Sequence, residues 1–185
     1  MLAYVQALIN IALRKLGPED LPDSNLLLGV SFAAYLLLQL PLPGLDFGRD
    51  GAPGLLFKAT AVIAGILIGS LWLLLRLTGF RSRYRQTLTA LVGTSALLNF
   101  ISFPIRLWDA GIRDTESQTG LPGMILFVIV LWSLSIDGHI LSRALSRPYI
   151  VGLLIAIAVF LVQLTTLLEM YPELFYPVTE GSLQR

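Results

Sequence analysis

Residues 149–170 read YIVGLLIAIAVFLVQLTTLLEM, twenty-two positions with no charge before Glu169. A hydrocarbon layer of roughly 30 Å takes about 20 apolar residues in a helix, so this run is the length of one membrane crossing. Working outward, comparable blocks stand at roughly Pro122–Leu141, Thr87–Trp108, Leu55–Leu75 and Asn25–Leu40. Pro22, Asp23 and Ser24 provide a stop and an N-cap before the first block, and Pro41, Pro43 and Gly44 end it. The connections are short and rich in Gly, Pro and charge, which makes the blocks up–down neighbours. The expectation is an all-α membrane protein, a five-span transmembrane bundle forming one integral domain over 1–185. No internal repeat suggests an inverted-repeat transporter core.

Composition agrees with this class. Of 185 residues, 55% are hydrophobic and 14% charged, and the mean hydropathy is +0.76. Soluble domains carry about 25% charged residues. A net charge of +1 argues against a nucleic-acid partner, which calls for a basic surface. With no cysteine in the chain, disulfides, thiolate metal sites and a cysteine nucleophile are excluded.

The first 17 residues are not a secretory signal, because Arg14 and Lys15 follow the apolar stretch instead of preceding it. Gln6, Asn10 and Arg14 fall on one helical face and Val5, Leu8, Ile9, Ala12 and Leu16 on another. This pattern predicts an amphipathic helix, either in the membrane interface or packed against the bundle.

Basic residues set the orientation. With the N-terminus cytoplasmic, that side collects Arg14, Lys15, Arg76, Arg81, Arg83, Arg85, Arg143 and Arg147. The other side keeps Arg49, Lys58, Arg106, Arg113 and Arg185, mixed with Asp46, Asp50, Asp109, Asp114 and Glu116; Glu169, Glu173 and Glu180 also fall there. The reading is N-terminus in and C-terminus out, in a bacterial inner membrane.

Small residues suggest where helices meet, since association in lipid relies on close approach. Ala61, Gly65 and Gly69 form one strip, and Gly152 with Ala156 forms another, with Gln163 further along that face. Both are expected to pack within the chain; homodimerisation is the other use of such strips. Pro104 should kink the third span or mark its outer turn.

Asp137 and His139 are the polar residues of most interest, near the cytoplasmic end of the fourth span. Ionisable groups inside a bilayer are functional candidates. The sharper expectation joins them with Arg83, Arg85, Arg143 and Arg147 as a site for a lipid headgroup or a partner's acidic segment. The plainer one is a structural role for Asp137 and a topology signal in the arginines. Gly93-Thr94-Ser95 with His139 is similar to the dyad of rhomboid-type intramembrane proteases, but Ala96 stands where the motif has its second glycine. Ser95 also lies about 12 Å into its span by a rise of 1.5 Å per residue, deeper than His139. No metal-ligand cluster or phosphate-cradling loop is present, and no cofactor is expected.

Three stretches carry a family resemblance: GPEDLPDSNLLL at 17–28, RQTLTALVGTSALLNFISFPI at 85–105, and LWSLSIDGHILSRALSRPYIVGLLIAIA at 131–158. The pattern resembles the bacterial branch of the Yip (Ypt-interacting protein) domain family over nearly the whole chain. That resemblance implies five spans with a cytoplasmic N-terminus. Eukaryotic members bind small GTPases through a longer N-terminal region with an Asp-Leu-Tyr-Gly-Pro element. Here that element is absent, with only EDLP at Glu19–Pro22, so no GTPase partner is expected. The resemblance transfers no activity and no site residues.

These residues point first to a non-enzymatic membrane protein that scaffolds another membrane protein or a second copy, or organises the surrounding lipids. The competing reading is a small transporter, a channel or a transport subunit, with Asn99, Gln163 and Asp137 lining a path. An intramembrane hydrolase comes last.

Overall fold

Six helices make up the computed structural model, which describes residues 2–39, 53–113 and 120–172. They are α1 (Leu2–Ala12), α2 (Asn25–Gln39), α3 (Pro53–Leu77), α4 (Tyr84–Arg113), α5 (Leu121–Ala144) and α6 (Tyr149–Met170), with single 3-10 turns at Pro18–Asp20 and Arg81–Arg83. Leu40, Pro41, Pro43, Gly44, Asp46, Arg49, Asp50, Asp114, Glu116, Glu173, Glu180 and Arg185 lie outside the described residues.

Four helical segments are long and apolar enough to cross a membrane: Phe57–Leu77, Arg81–Asp109, Leu121–Ala144 and Tyr149–Met170. The expected first span does not join them. Its helix is described over 15 residues, a rise of about 21 Å against a core of roughly 30 Å. Expected boundaries elsewhere fall within a few residues of the helix ends, except that α4 runs on to Arg113, unbroken through Pro104.

Helix ends follow from local chemistry. Pro122 starts α5 after Gly120, where the missing proline N–H would have no helical partner. Gly79 takes φ +83° after α3, and the Phe80 N–H closes back on the Leu75 carbonyl at 2.9 Å. Two non-glycine residues do the same work elsewhere. Arg14 (φ 59°) and Ser146 (φ 51°) end α1 and α5 in the left-handed region, a conformation that most L-residues avoid.

The centre of the bundle is α4. In an apolar 18-residue stretch of it 56% of residues are buried, against 11–22% in the corresponding stretches of the other three. Helices α4, α5, α6 and α3 close a ring, each touching the next, while α2 packs along α4. The tightest pair is α5 with α6 and the loosest seat is that of α3. The buried hydroxyls of Thr87, Thr89 and Thr94 each donate to the carbonyl four residues back, at 2.8 Å. Among the described residues no buried side-chain polar atom lacks a partner.

The described α1 packs against α4 and α5. Leu8, Ile11 and Ala12 are buried, with Leu8 and the Tyr4 hydroxyl set over Gly93 of α4. Tyr4 also shares a short hydrogen bond with Ser31 of α2. Burial pushes the Tyr4 phenol above its ordinary value of 10.0, an effect the Ser31 bond partly offsets. The buried stripe is thus rotated from the expected apolar face, and Leu2, Val5, Ile9 and Leu13 point outward.

Candidate functional site

A cavity of about 550 Å³ lies inside the ring of α3, α4, α5 and α6, within the usual size of small-molecule sites. Its walls are mainly apolar, with leucine the commonest residue, but every helix of the ring contributes at least one polar side chain. Depth can be counted from the basic end, where Arg83 meets the last turn of α5. At 1.5 Å per residue, Asp137 and Ser70 stand about 10 Å in, and Ser95 and Ser133 about 16 Å. By the same count Asn99 and Gln163 stand about 21 Å in, and Arg106 about 33 Å. Polar groups therefore recur at successive levels along the cavity.

Their bonding differs by level. The Gln163 amide donates to the Ile63 carbonyl at 3.2 Å, which ties α6 to α3. Arg106 reaches back two turns and donates to the Asn99 side-chain oxygen at 3.3 Å. The half-buried Asp137 lines the cavity and has neither a hydrogen bond nor an ion pair among the described residues.

Asp137 and His139 do not form one site. Two residues along a helix are turned about 200° apart, so they face opposite ways. Asp137 opens to the cavity, while His139 Nε2 donates to the Leu16 carbonyl at 2.9 Å on the α1 side. That bond also answers the protease pattern: Ser95 lines the cavity, His139 is engaged elsewhere, and Thr94 is bonded within α4.

Three of the four arginines expected around Asp137 clasp loops and helix ends instead. Arg83 donates to the Ala144 carbonyl at 3.0 Å, the Arg143 carbonyl at 3.4 Å and Ser146 Oγ at 2.9 Å. It thereby caps the negative end of the α5 dipole. Arg85 pairs with Asp23 at 2.8 Å and bonds Asn25 at 3.0 Å. Arg143 pairs with Glu19, while Arg147 is exposed. No headgroup site centred on Asp137 is assembled from these residues. Their guanidinium groups reach carbonyls and carboxylates nearer the surface than the cavity.

The two small-residue strips separate. Gly152 and Ala156 are buried at the α5–α6 contact. Gly65 and Gly69 have open space where a Cβ would stand, and Ala61 is exposed as well. This corrects the expectation that the α3 strip packs within the chain: α3 turns Leu71 and Leu75 inward and these small residues outward.

Sequence reasoning passed over Ser70, Ser95, Ser102, Ser133 and Arg106 as cavity residues. A signal was present on α4, since Ser95, Asn99, Ser102 and Arg106 recur every three or four residues on one face. Among the described residues no group of three His, Cys, Asp or Glu could hold a metal ion. No family model, curated protein or solved structure matches the chain.

Proposed function

We propose that the protein is a small membrane transporter, or the membrane subunit of a transport complex, with the central cavity as its substrate chamber. One observation carries the reading: the Asp137 carboxylate faces that cavity without a partner among the described residues. An ionisable residue costs about 2.5–3.5 kcal/mol at the centre of a span and less toward its ends, and such residues are kept where they line a path for ions or solutes. Leucine at this position would fill the bundle at no such cost.

The topology proposed with it has five crossings, N-terminus cytoplasmic and C-terminus outside, in a bacterial inner membrane. Asn25 is bonded to Arg85 at the basic end, whereas α3 begins at the opposite end, one helix length before the Arg81–Arg83 turn. That placement of the starts of α2 and α3 supports a further crossing that begins with α2. The resemblance to Yip-domain proteins implies the same topology and is kept for that alone. In this arrangement α1 lies at the inner interface. Its buried stripe faces the bundle, Leu2, Val5, Ile9 and Leu13 face lipid, and Gln6, Asn10 and Arg14 face water.

The absence of native cysteine makes the chamber directly testable. Single Ser95→Cys, Asn99→Cys and Ser133→Cys variants in membrane vesicles should react with a membrane-impermeant thiol reagent. A lipid-facing Val128→Cys variant should stay unreactive and an Arg147→Cys variant should label fully. If the three chamber positions are as inert as Val128→Cys, the cavity is dry and the transport reading falls.

The scaffold, which the sequence puts first, becomes the second reading, supported by the open Ala61–Gly65–Gly69 strip on the outward face of α3. A second copy or another membrane protein could pack there closely. Gly65→Leu would then abolish co-purification of that partner while leaving thiol labelling of the chamber unchanged.

A further inference from the structure

Resting on the chamber reading, we infer that its substrate class is the small hydrophobic cation, an organic ammonium or phosphonium ion held with its charge beside Asp137. The chamber presents two charged side chains, and they are not equivalent. Arg106 stands about 23 Å from Asp137 along the axis, by rise per residue, and turns its guanidinium to the Asn99 oxygen. Asp137 has no such partner. The other polar groups that face the chamber are neutral: Tyr35 of α2, Ser70 of α3, Ser95, Asn99 and Ser102 of α4, Ser133 of α5 and Gln163 of α6. An entering anion would meet an uncompensated carboxylate, whereas a cation would supply the missing counter-charge.

The walls select the body that carries this charge. Leu67, Leu71, Leu74, Leu134 and Leu141 surround the Asp137 end, and Phe160 adds an aromatic ring further in. A hard metal cation such as Ca²⁺ wants six to eight oxygen ligands. At the Asp137 level the described residues offer Ser70 as one further side-chain oxygen, too few for such a shell. Leucine walls cannot replace a hydration shell, but they suit alkyl or aryl groups around a buried positive centre. The volume of about 550 Å³ also far exceeds the roughly 30 Å³ share of one water or a comparably small ion.

Tetraphenylphosphonium and tetraphenylborate have nearly the same shape and size and carry opposite charges, so their comparison isolates the sign of the site. Binding of each to the full chain in nanodiscs would be measured by equilibrium dialysis, with empty nanodiscs subtracted. The expected result is a preference for the phosphonium of at least about tenfold, the size that one favourable charge contact supplies. Asp137→Asn should bring the ratio near one, and Asp137→Glu should keep it. Equal binding of both ions by the unaltered chain, or a preference that survives Asp137→Asn, overturns the inference. Thiol labelling separates the two failures. Labelled chamber cysteines without a cation preference remove the substrate class and leave the chamber; unlabelled cysteines remove both.

Discussion

Gly138 and Gly152 face each other across the α5–α6 crossing. A methyl group placed on Gly152 would run into the Gly138 carbonyl oxygen, and one placed on Gly138 would stand 2.8 Å from the Leu153 α-carbon. The two backbones touch with no side chain between them, which fixes how α5 presents Asp137 to the cavity.

Gly152→Ala should therefore lower stability by about 1–3 kcal/mol, the usual cost of overpacking a tight contact. Thermal unfolding in mild detergent would show this as a lower Tm. Gly65→Leu is the contrast: with open space at its Cβ position, its Tm should match that of the unaltered chain. A matching loss at Gly65 would mean that another surface covers α3.

Arg83 joins the turn before α4 to the last carbonyls of α5. Arg83→Ala should destabilise the chain by about 1 kcal/mol, and Arg83→Lys should recover only part of it, because one ammonium cannot reproduce the guanidinium fork. Equal Tm values for the Lys and Arg forms would show that charge alone matters there.

His139 holds the segment after α1 through the Leu16 carbonyl. His139→Phe keeps the ring and removes the donor, so trypsin should cut faster at Arg14 and Lys15 in membrane vesicles. Chamber labelling should not change, because the imidazole faces away from the cavity. Slower labelling at Ser95→Cys in this variant would tie the two sides of α5 together.

Docking of α1 should weaken in strong alkali. The Tyr4 phenol is raised above 10.0 when buried, so its neutral form is favoured in the folded chain. Below pH 10 both states are neutral and docking is complete. As pH rises past 10 the undocked form ionises first, and docking weakens until the folded value is passed. Proteolysis at Arg14 and Lys15 should accelerate over that window, and Tyr4→Phe should remove the acceleration.

Reporter fusions test the orientation. A reporter after Arg185 should read as non-cytoplasmic, and one inserted at Arg81–Arg83 as cytoplasmic. The reverse at both positions would invert the proposed topology.

The four long helices were legible because a membrane span writes itself as a run of apolar residues. What faces what was not. Lipid and a leucine-lined interior are equally apolar, so hydropathy gives no period to say which side of α3 or α5 turns inward. Gly65 and Gly152 carry the same small-residue signature, yet one is open and the other buried. The basic rim was legible as a cluster, but its use in clasping Asp23, Glu19 and the end of α5 depends on contacts between residues far apart in sequence, 60 to 63 positions for Arg83 and Arg85 and twice that for Arg143. Asp137 and His139 looked like a pair because they are close in sequence; helical rotation sends them to different sides.

The loose seat of α3 gives the bundle unequal stiffness. One wall is clamped by backbone contact at Gly138 and Gly152 and by the Arg83 fork. The polar tie described between the opposite wall and α6 is the single bond from Gln163 to Ile63. A load on the chamber is then taken up by sideways yielding of α3, whose apolar surface can trade bundle neighbours for acyl chains with little penalty. An occupant would thus find its softest exit sideways, toward the lipid, and not along the bundle axis.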